Sequence, residues 1–318
     1  MLRTEAQRLD LDTETVRAIL LPHCRLKPGD IWRDITRGHV VACGDCTDQA
    51  LLRQAAGNLP PATLAVHDPP YNLAVFERRS VAEYIDWCRS WIRPTQDRLG
   101  ADAALYVWLG ADQRNHFQPL PQFMAMMADT VFDARSFITM RNQRGYGTQK
   151  NWMAVRQELL YYTLGNPPFD VQYTDIPKIL RGYYKEVRGE VTENLQRSRS
   201  DNIRASNVWV DIQQVFYRME ENVAGCYAQK PLKAIERIVQ ASSTIGDLVL
   251  DFFAHAGTTL LACERLQRQC LTVEIDPVFA EITIRRLERF RATGKTGWQR
   301  AHPFERELAA MIPTNDQA

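Results

Sequence analysis

Apolar residues in this chain gather into short unbroken runs separated by stretches with helical spacing. The runs at 39–43, 62–66, 104–109, 137–141, 158–163, 248–253 and 270–275 are interrupted by few polar residues, which is how strands buried on both faces read. Between them lie a helix near 48–56 and another over 81–98, where Tyr84, Trp87, Cys88, Trp91 and Ile92 fall on one face. A third helix runs through Phe123 and Met127, a fourth buries Leu232, Ile235 and Val239, and a fifth carries Leu260, Leu261 and Leu266. The aromatic stripe of 81–98 reads as core rather than as a surface for stacking bases. Strands alternating with helices in this way predict an α/β protein with a doubly wound sheet.

Two regions stand outside the alternation. Residues 1–30 read as an N-terminal extension, with a polar helix over 9–21 and then a loop through Pro28 and Gly29. From 165 to about 222 the periodicity fades into a segment rich in Tyr, Arg, Asn and Gly, which separates a first half, 31–164, from a second half, 223–300. Residues 301–318 form a C-terminal tail.

Composition narrows the partners. The 318 residues are 45% hydrophobic, enough for one large core and an appended lobe, and the formal charge is only +1. No global basic field therefore announces nucleic acid, and binding it would take a local patch. The 178–204 stretch supplies one: Lys178, Arg181, Lys185, Arg188, Arg197, Arg199 and Arg204 stand against Glu186, Glu190, Glu193 and Asp201. Seven cysteines, an odd number at irregular spacing, fit a reducing compartment better than a disulfide framework. The sole CxxC, Cys43 to Cys46, has neither a second pair nor a His-x-x-x-His nearby, so it reads as a core residue and a turn residue rather than a zinc site. No apolar run is long enough to span a bilayer, and Arg3, Glu5, Arg8 and Asp10 occupy the positions where a signal peptide would be apolar. A soluble, cytoplasmic protein is expected. Gly294-Lys295-Thr296 ends like a phosphate loop, but Arg289 stands where that loop needs glycine, so a helix C-terminal turn is expected there.

The chemistry-bearing stretch is Asp68-Pro69-Pro70-Tyr71, directly after the 62–66 run. A carboxylate at the end of a buried parallel strand faces the ligand crevice of an open α/β sheet. The two prolines fix their own φ near −65° and deny a helical start, so the tetrapeptide is a stiff extended clamp. Asp68 and the Pro69 carbonyl could accept both hydrogens of an exocyclic amine while Tyr71 stacks on its ring. A plain surface turn is the alternative. A second motif follows the strand 248–253: the small-residue turn Ala254-His255-Ala256-Gly257-Thr258-Thr259, then a helix, then a strand with Glu274 near its end and Asp276-Pro277 opening the next helix. Such a turn, with an acid about 20 residues on, binds nucleoside-containing cofactors in doubly wound sheets.

With these motifs in order, the chain resembles the amino-DNA methyltransferases, in the branch where Asp-Pro-Pro-Tyr precedes the cofactor loop. That family's usual loop reads Asp-Pro-Phe-Ala-Gly-Ser-Gly-Thr-Thr, matched by Asp251-Phe252-Phe253-Ala254-His255-Ala256-Gly257-Thr258-Thr259. Gln229-Lys230-Pro231-Leu232 and Gly44-Asp45-Cys46 resemble two further family segments, and Arg156-Gln157-Glu158 is similar to its Arg-His-Glu signature beside the target pocket. The resemblance implies one seven-stranded, mostly parallel sheet with its last strand antiparallel, in circularly permuted motif order, with a target-recognition region inserted at 165–222.

It also implies S-adenosylmethionine as cofactor and double-stranded DNA as substrate. Homodimers are frequent in the family, and the resemblance leaves one open here, as it does a cognate restriction enzyme. Asp68, Pro69, Pro70 and Tyr71 would form the catalytic clamp. The turn of Phe253, Ala254, His255 and Gly257, running into Thr258 and Thr259, would approach the cofactor's methionine moiety, with Asp251 accepting from its amino group. Glu274 would bind ribose hydroxyls, Asp45 the adenine amine, and the Gln229-Lys230-Pro231 helix start the methionine carboxylate, with Pro231 suited to the first helical turn. Lys178, Arg181, Tyr183, Lys185, Arg197, Arg199 and Arg204 would face DNA. His255 departs from the family pattern. Glycine there allows any φ, whereas histidine must keep φ negative or tolerate a positive value, for which it is among the better non-glycine residues.

An ordinary carboxylate, with a pKa of about 4, cannot deprotonate an exocyclic amine beforehand, so Asp68 is an acceptor that takes the proton during or after transfer. Asp at the first motif position leans toward adenine N6 over cytosine N4, although both amines fit the clamp. Carbon-5 methylation is disfavoured because the chain has no Pro-Cys dipeptide. The other readings are a DNA-binding regulator that has lost turnover, and an N-methyltransferase of protein glutamine or RNA, whose relatives usually begin the motif with Asn.

Overall fold

In this computed structural model the described residues are 11, 13–71, 79–110, 115–146, 149–178, 184–193 and 200–311. Their strands are β1 (Ile31–Arg33), β2 (Val40–Cys43), β3 (Ala62–His67), β4 (Leu99–Trp108), β5 (Asp133–Tyr146), β6 (Ala154–Leu164), β7 (Tyr173–Pro177), β8 (Tyr184–Val187), β9 (Glu190–Glu193), β10 (Asn202–Arg204), β11 (Val208–Trp209), β12 (Leu248–Asp251) and β13 (Gln269–Glu274). Nine of them form one sheet in the order β1-β2-β13-β12-β3-β4-β6-β5-β11. From β2 to β4 all neighbours are parallel, and β6 then runs antiparallel to both β4 and β5. The expected seven-stranded, mostly parallel sheet is the centre of this array. Two short edge strands extend it: antiparallel β1 beside β2, and β11 parallel to β5. At three and two residues these are too short to leave a periodic signature.

Helices cover both faces because every central strand is apolar on both sides. One face packs the helices Gln49–Ala56, Val81–Arg98 and Leu120–Ala128 over Ala65, Leu105 and Leu250. The other packs Leu232–Ser242, Thr258–Leu266 and Pro277–Thr293 over Val66, Tyr106 and Val249. Trp91, on the expected aromatic stripe, is fully buried and stacks on Phe123 with ring centroids 6.0 Å apart. A capping box fixes the start of that helix, Ser80 Oγ accepting from the Glu83 N–H and Glu83 Oε2 from the Ser80 N–H. A smaller third core joins Leu11, Val16 and Leu20 to Ala256, Val278, Ile282 and Phe304, so the helix Glu14–Leu20 braces the back of the 253–257 turn.

The central crossover decides what the sheet can do. β12 pairs with β3 on one side and β13 on the other, although Val249 and its partner Leu64 come from opposite halves of the chain. The C-terminal ends of β3 and β12 therefore emerge side by side at the switch point, where open α/β sheets bind ligands. His67, the last residue of β3, fastens them. Its Nδ1 accepts from the Phe252 N–H at 3.2 Å, so its proton sits on Nε2, which donates to Thr95 Oγ1 at 2.9 Å. Thr95 in turn donates to the Trp91 carbonyl at 2.8 Å. Burial pushes the imidazole down to about 3, keeping it neutral at working pH.

Candidate active site

Asp68 leaves the end of β3 with both carboxylate oxygens engaged. Tyr71 donates its hydroxyl to Oδ1 at 2.6 Å, and Lys230 donates its ammonium to Oδ2 at 2.6 Å. The ammonium also lies 5.4 Å from the centroid of the Tyr71 ring and 5.3 Å from that of Trp108, a setting that favours a cation. Tyr84 anchors the clamp from below by donating to the Pro70 carbonyl at 2.8 Å. Asp68 thus stands just past the end of β3, where the sequence expects a carboxylate, with Pro69, Pro70 and Tyr71 following it.

On the neighbouring strand, Asp251 ends β12 almost completely buried. It accepts from the Phe253 N–H at 2.9 Å and from the Thr259 side chain, and no cation among the described residues is paired with it. Burial pushes its carboxyl up to about 7, against those hydrogen bonds. The turn that follows needs left-handed backbone at two places. Gly257 has φ 69°, and a Cβ there would meet Thr283 at 2.8–2.9 Å, so only glycine fits. His255 has φ 45°, the tolerated positive value, with its ring turned onto Phe279 at a centroid distance of 4.6 Å. Its N–H donates to Glu274 Oε2 at 2.7 Å, while Glu274 Oε1 accepts from the Asp276 N–H at 3.0 Å. Glu274 therefore staples the turn to the end of β13, and burial pushes its carboxyl up to about 7 as well.

These two loops share one small cleft, of about 20 Å³. Asp68, Trp108 and Lys230 line one part, and Asp251, Phe253, Ala254, His255, Thr258 and Thr259 the other. Residues 62–285, which contain the whole arrangement, match the DNA methylase family. The chain belongs to that family. It is 25% identical over 231 residues to the type II methyltransferase M.HpaI of Haemophilus parainfluenzae, covering 71% of this chain and 68% of that one. Among solved structures it resembles TTHA0409 of Thermus thermophilus, complexed with S-adenosyl-L-methionine, with TM-score 0.54 and 22% identity over 83% of this chain and 99% of the other. It also resembles the cytosine-N4-specific PvuII DNA methyltransferase, with TM-score 0.56 and 16% identity over 87% and 99% of the two chains.

Around this DNA methylase's cleft, Gln229 and Pro231 are placed differently from the sequence expectation. Gln229 does not face the cleft. It is buried with its amide spent on backbone, accepting from the Val223 N–H at 3.0 Å and donating to the Glu221 carbonyl at 2.8 Å. Pro231 is the N-cap of the helix Leu232–Ser242 rather than a first-turn residue, and the Leu232 N–H already donates to the Glu221 carboxylate at 2.8 Å. The helix start thus carries an anion of its own, which weakens it as a seat for a second one. Asp45 is exposed and accepts from the N–H and hydroxyl of Thr47, both at 2.8 Å.

In the basic segment, Lys178 donates to the Ser200 carbonyl at 2.7 Å and Arg204 is exposed on β10. Lys185 lies on β8, while Arg181, Tyr183, Arg197 and Arg199 fall outside the described residues. All seven cysteines are free, and the described residues hold no group fit for a metal ion. Among them no helix is long and apolar enough to cross a membrane.

Sequence reasoning missed three groups here: the Lys230–Asp68 pair, the Glu221 cap and Arg286. The last is fully buried and donates to the Ala256 carbonyl at 2.9 Å, Thr258 Oγ1 at 3.0 Å and the Thr296 carbonyl at 2.6 Å, fixing the turn from behind. Its only sequence signal was an arginine on the apolar side of the helix Pro277–Thr293.

The raised Asp251 carboxyl yields a test without any ligand. A buried acid with a raised pKa binds its proton more readily folded than unfolded, so its effect on stability becomes more unfavourable as pH rises from the unfolded value of 3.8 to the folded value of about 7, and levels off above it. Replacing Asp251→Asn removes that effect. The melting temperature of the variant minus that of wild type is expected to rise between about pH 4 and pH 7 and to level off above; a difference that stays flat across that range means the carboxyl is ionised throughout.

Proposed function

We propose that this protein transfers a methyl group from S-adenosylmethionine to the exocyclic N6 of an adenine flipped out of duplex DNA. The observation that carries the reading is the shared cleft, in which an amine-accepting carboxylate and a glycine-dependent turn at adjacent strand ends line one space. Asp251 supports the fit to this cofactor. A buried carboxylate without a cationic partner is stabilised by the cofactor's amino group. Glu274 keeps further lone pairs for ribose hydroxyls, and Asp45 stands for the adenine amine. When bound, S-adenosylmethionine supplies a methyl group already activated by its sulfonium.

What remains for the protein is to improve a poor nucleophile. The lone pair of an exocyclic amine is delocalised into its ring, and acceptors at Asp68 and the Pro69 carbonyl favour the tetrahedral nitrogen of the transition state. Asp68 receives the proton that the amine sheds. Flipping the base costs a few kcal/mol, and stacking on Tyr71 returns about 1–3 kcal/mol of it. The hydroxyl bond from Tyr71 to Asp68 and the Tyr84 anchor hold the ring and clamp in place before the base arrives. Residues 165–222 form the target-recognition region, where Arg204 and the neighbouring bases contact phosphates.

Asp68→Asn preserves shape but turns one acceptor into a donor. Methyl transfer should fall by about 100-fold or more, while cofactor affinity measured by calorimetry does not weaken. Undiminished transfer would remove Asp68 from the chemistry. Digesting DNA from expressing cells to nucleosides should yield N6-methyldeoxyadenosine; N4-methyldeoxycytidine would move the target to cytosine within the same clamp. For the basic segment, the logarithm of DNA affinity should fall with the logarithm of salt by about 0.9 per neutralised phosphate. An affinity that ignores salt contradicts the phosphate role.

A further inference from the structure

The Lys230–Asp68 ion pair poses a problem for methyl transfer. Its ammonium is 2.6 Å from Oδ2, with both side chains largely buried, and Tyr71 already donates to Oδ1, so each Asp68 oxygen carries a protein donor where the target amine needs an acceptor. The amine nitrogen becomes positively charged as it accepts the methyl group, and a fixed cation on the same carboxylate opposes that charge. Lys230 must therefore leave Asp68 before chemistry.

The cleft offers a reason for it to leave. Among the described residues lining it, Lys230 is the one lysine or arginine, since Arg286 lies behind the turn with its hydrogen bonds spent on protein oxygens. The helix start at Leu232 is already capped by Glu221. An α-carboxylate entering the cleft beside Asp251 and His255 thus finds one mobile counter-ion, and the lysine's flexible stem allows it to swing.

We propose that Lys230 is a cofactor-operated guard of the catalytic carboxylate. Without cofactor it covers Asp68 and blocks capture of the base. The cofactor's carboxylate draws it away, so cofactor binding precedes base docking. This inference rests on the methyltransferase reading of the same cleft. Lys230 acts here as a positioning residue, through Asp68.

The test uses the full-length protein and a duplex carrying its mapped methylation site, with fluorescent 2-aminopurine beside the intact target adenine, where it brightens when that adenine leaves the stack. Saturating S-adenosylhomocysteine should increase base capture by wild type by roughly 5- to 150-fold, the usual range of coupling between two sites, and the duplex should tighten S-adenosylhomocysteine binding by the same factor. 5′-Methylthioadenosine, which lacks the amino-acid carboxylate, should not promote capture. Lys230→Gln should capture the base without any cofactor and lose the coupling, whereas Lys230→Arg, which keeps the cation, should retain it.

Equal capture by wild type with and without S-adenosylhomocysteine overturns the proposal, as does a folded Lys230→Gln variant that still requires it. The wild-type comparison stands even if the variant misfolds. Absence of any methyl transfer to DNA is a different failure, that of the functional reading itself.

Discussion

The register between β3 and β12 is the constraint on which the site depends. Leu64 faces Val249 and Ala65 faces Leu250, so two chain segments far apart in sequence end at the same level of the sheet. Asp68 and Asp251 then emerge into one cleft. A parallel pair flanked by further parallel strands cannot slip by one residue without turning Leu64, Val66 and Val249 to the opposite helical layer. The neutral His67 locks the pairing at the point where chemistry begins, joining β3, the first turn after β12 and the helix Val81–Arg98 through two hydrogen bonds.

Charge is distributed around that register with little waste. Asp251 and Glu274 are buried acids whose hydrogen bonds come mainly from backbone N–H groups, and burial raises both. Arg286 is a buried cation satisfied mainly by carbonyl oxygens, and burial lowers it to about 10. Lys230 and Asp68 are paired directly. Removing one member of such a largely buried pair typically costs about 3–5 kcal/mol, because the other is left without compensation. Under the proposed function, the cofactor brings the opposite charges to this cleft, an ammonium for Asp251 and a carboxylate for Lys230.

Local patterns made much of the fold legible. The 62–66 and 248–253 runs are apolar enough to announce buried strands, and the proline pair of the clamp and Gly257 carry backbone requirements that few other residues meet. His255 was ambiguous because sequence does not disclose which sign of φ a tolerant residue takes; the hydrogen bond from its N–H to Glu274 accompanies φ 45°. What could not be read were side-chain partnerships across the chain. Lys230 finds Asp68 at a sequence separation of 162, and Gln229, one residue before it, turns to the 221–223 backbone instead of the cleft. Neighbouring residues of one motif thus point to different tasks, which depends on helix orientation in the folded core. The edge strands β1 and β11 escaped for a simpler reason, being shorter than any period they could display.

The proposed meeting point of cofactor and target is the space between Asp68 and the Asp251–Thr259 turn. The most direct measurement is a crystal structure of the protein with S-adenosylhomocysteine. The amino group is expected on Asp251, the carboxylate on Lys230, and the sulfur facing Asp68, leaving room for a target nitrogen at a near-attack separation of about 3–3.5 Å from the transferable methyl. A ligand seated elsewhere, or one whose sulfur faces away from Asp68, would contradict that placement.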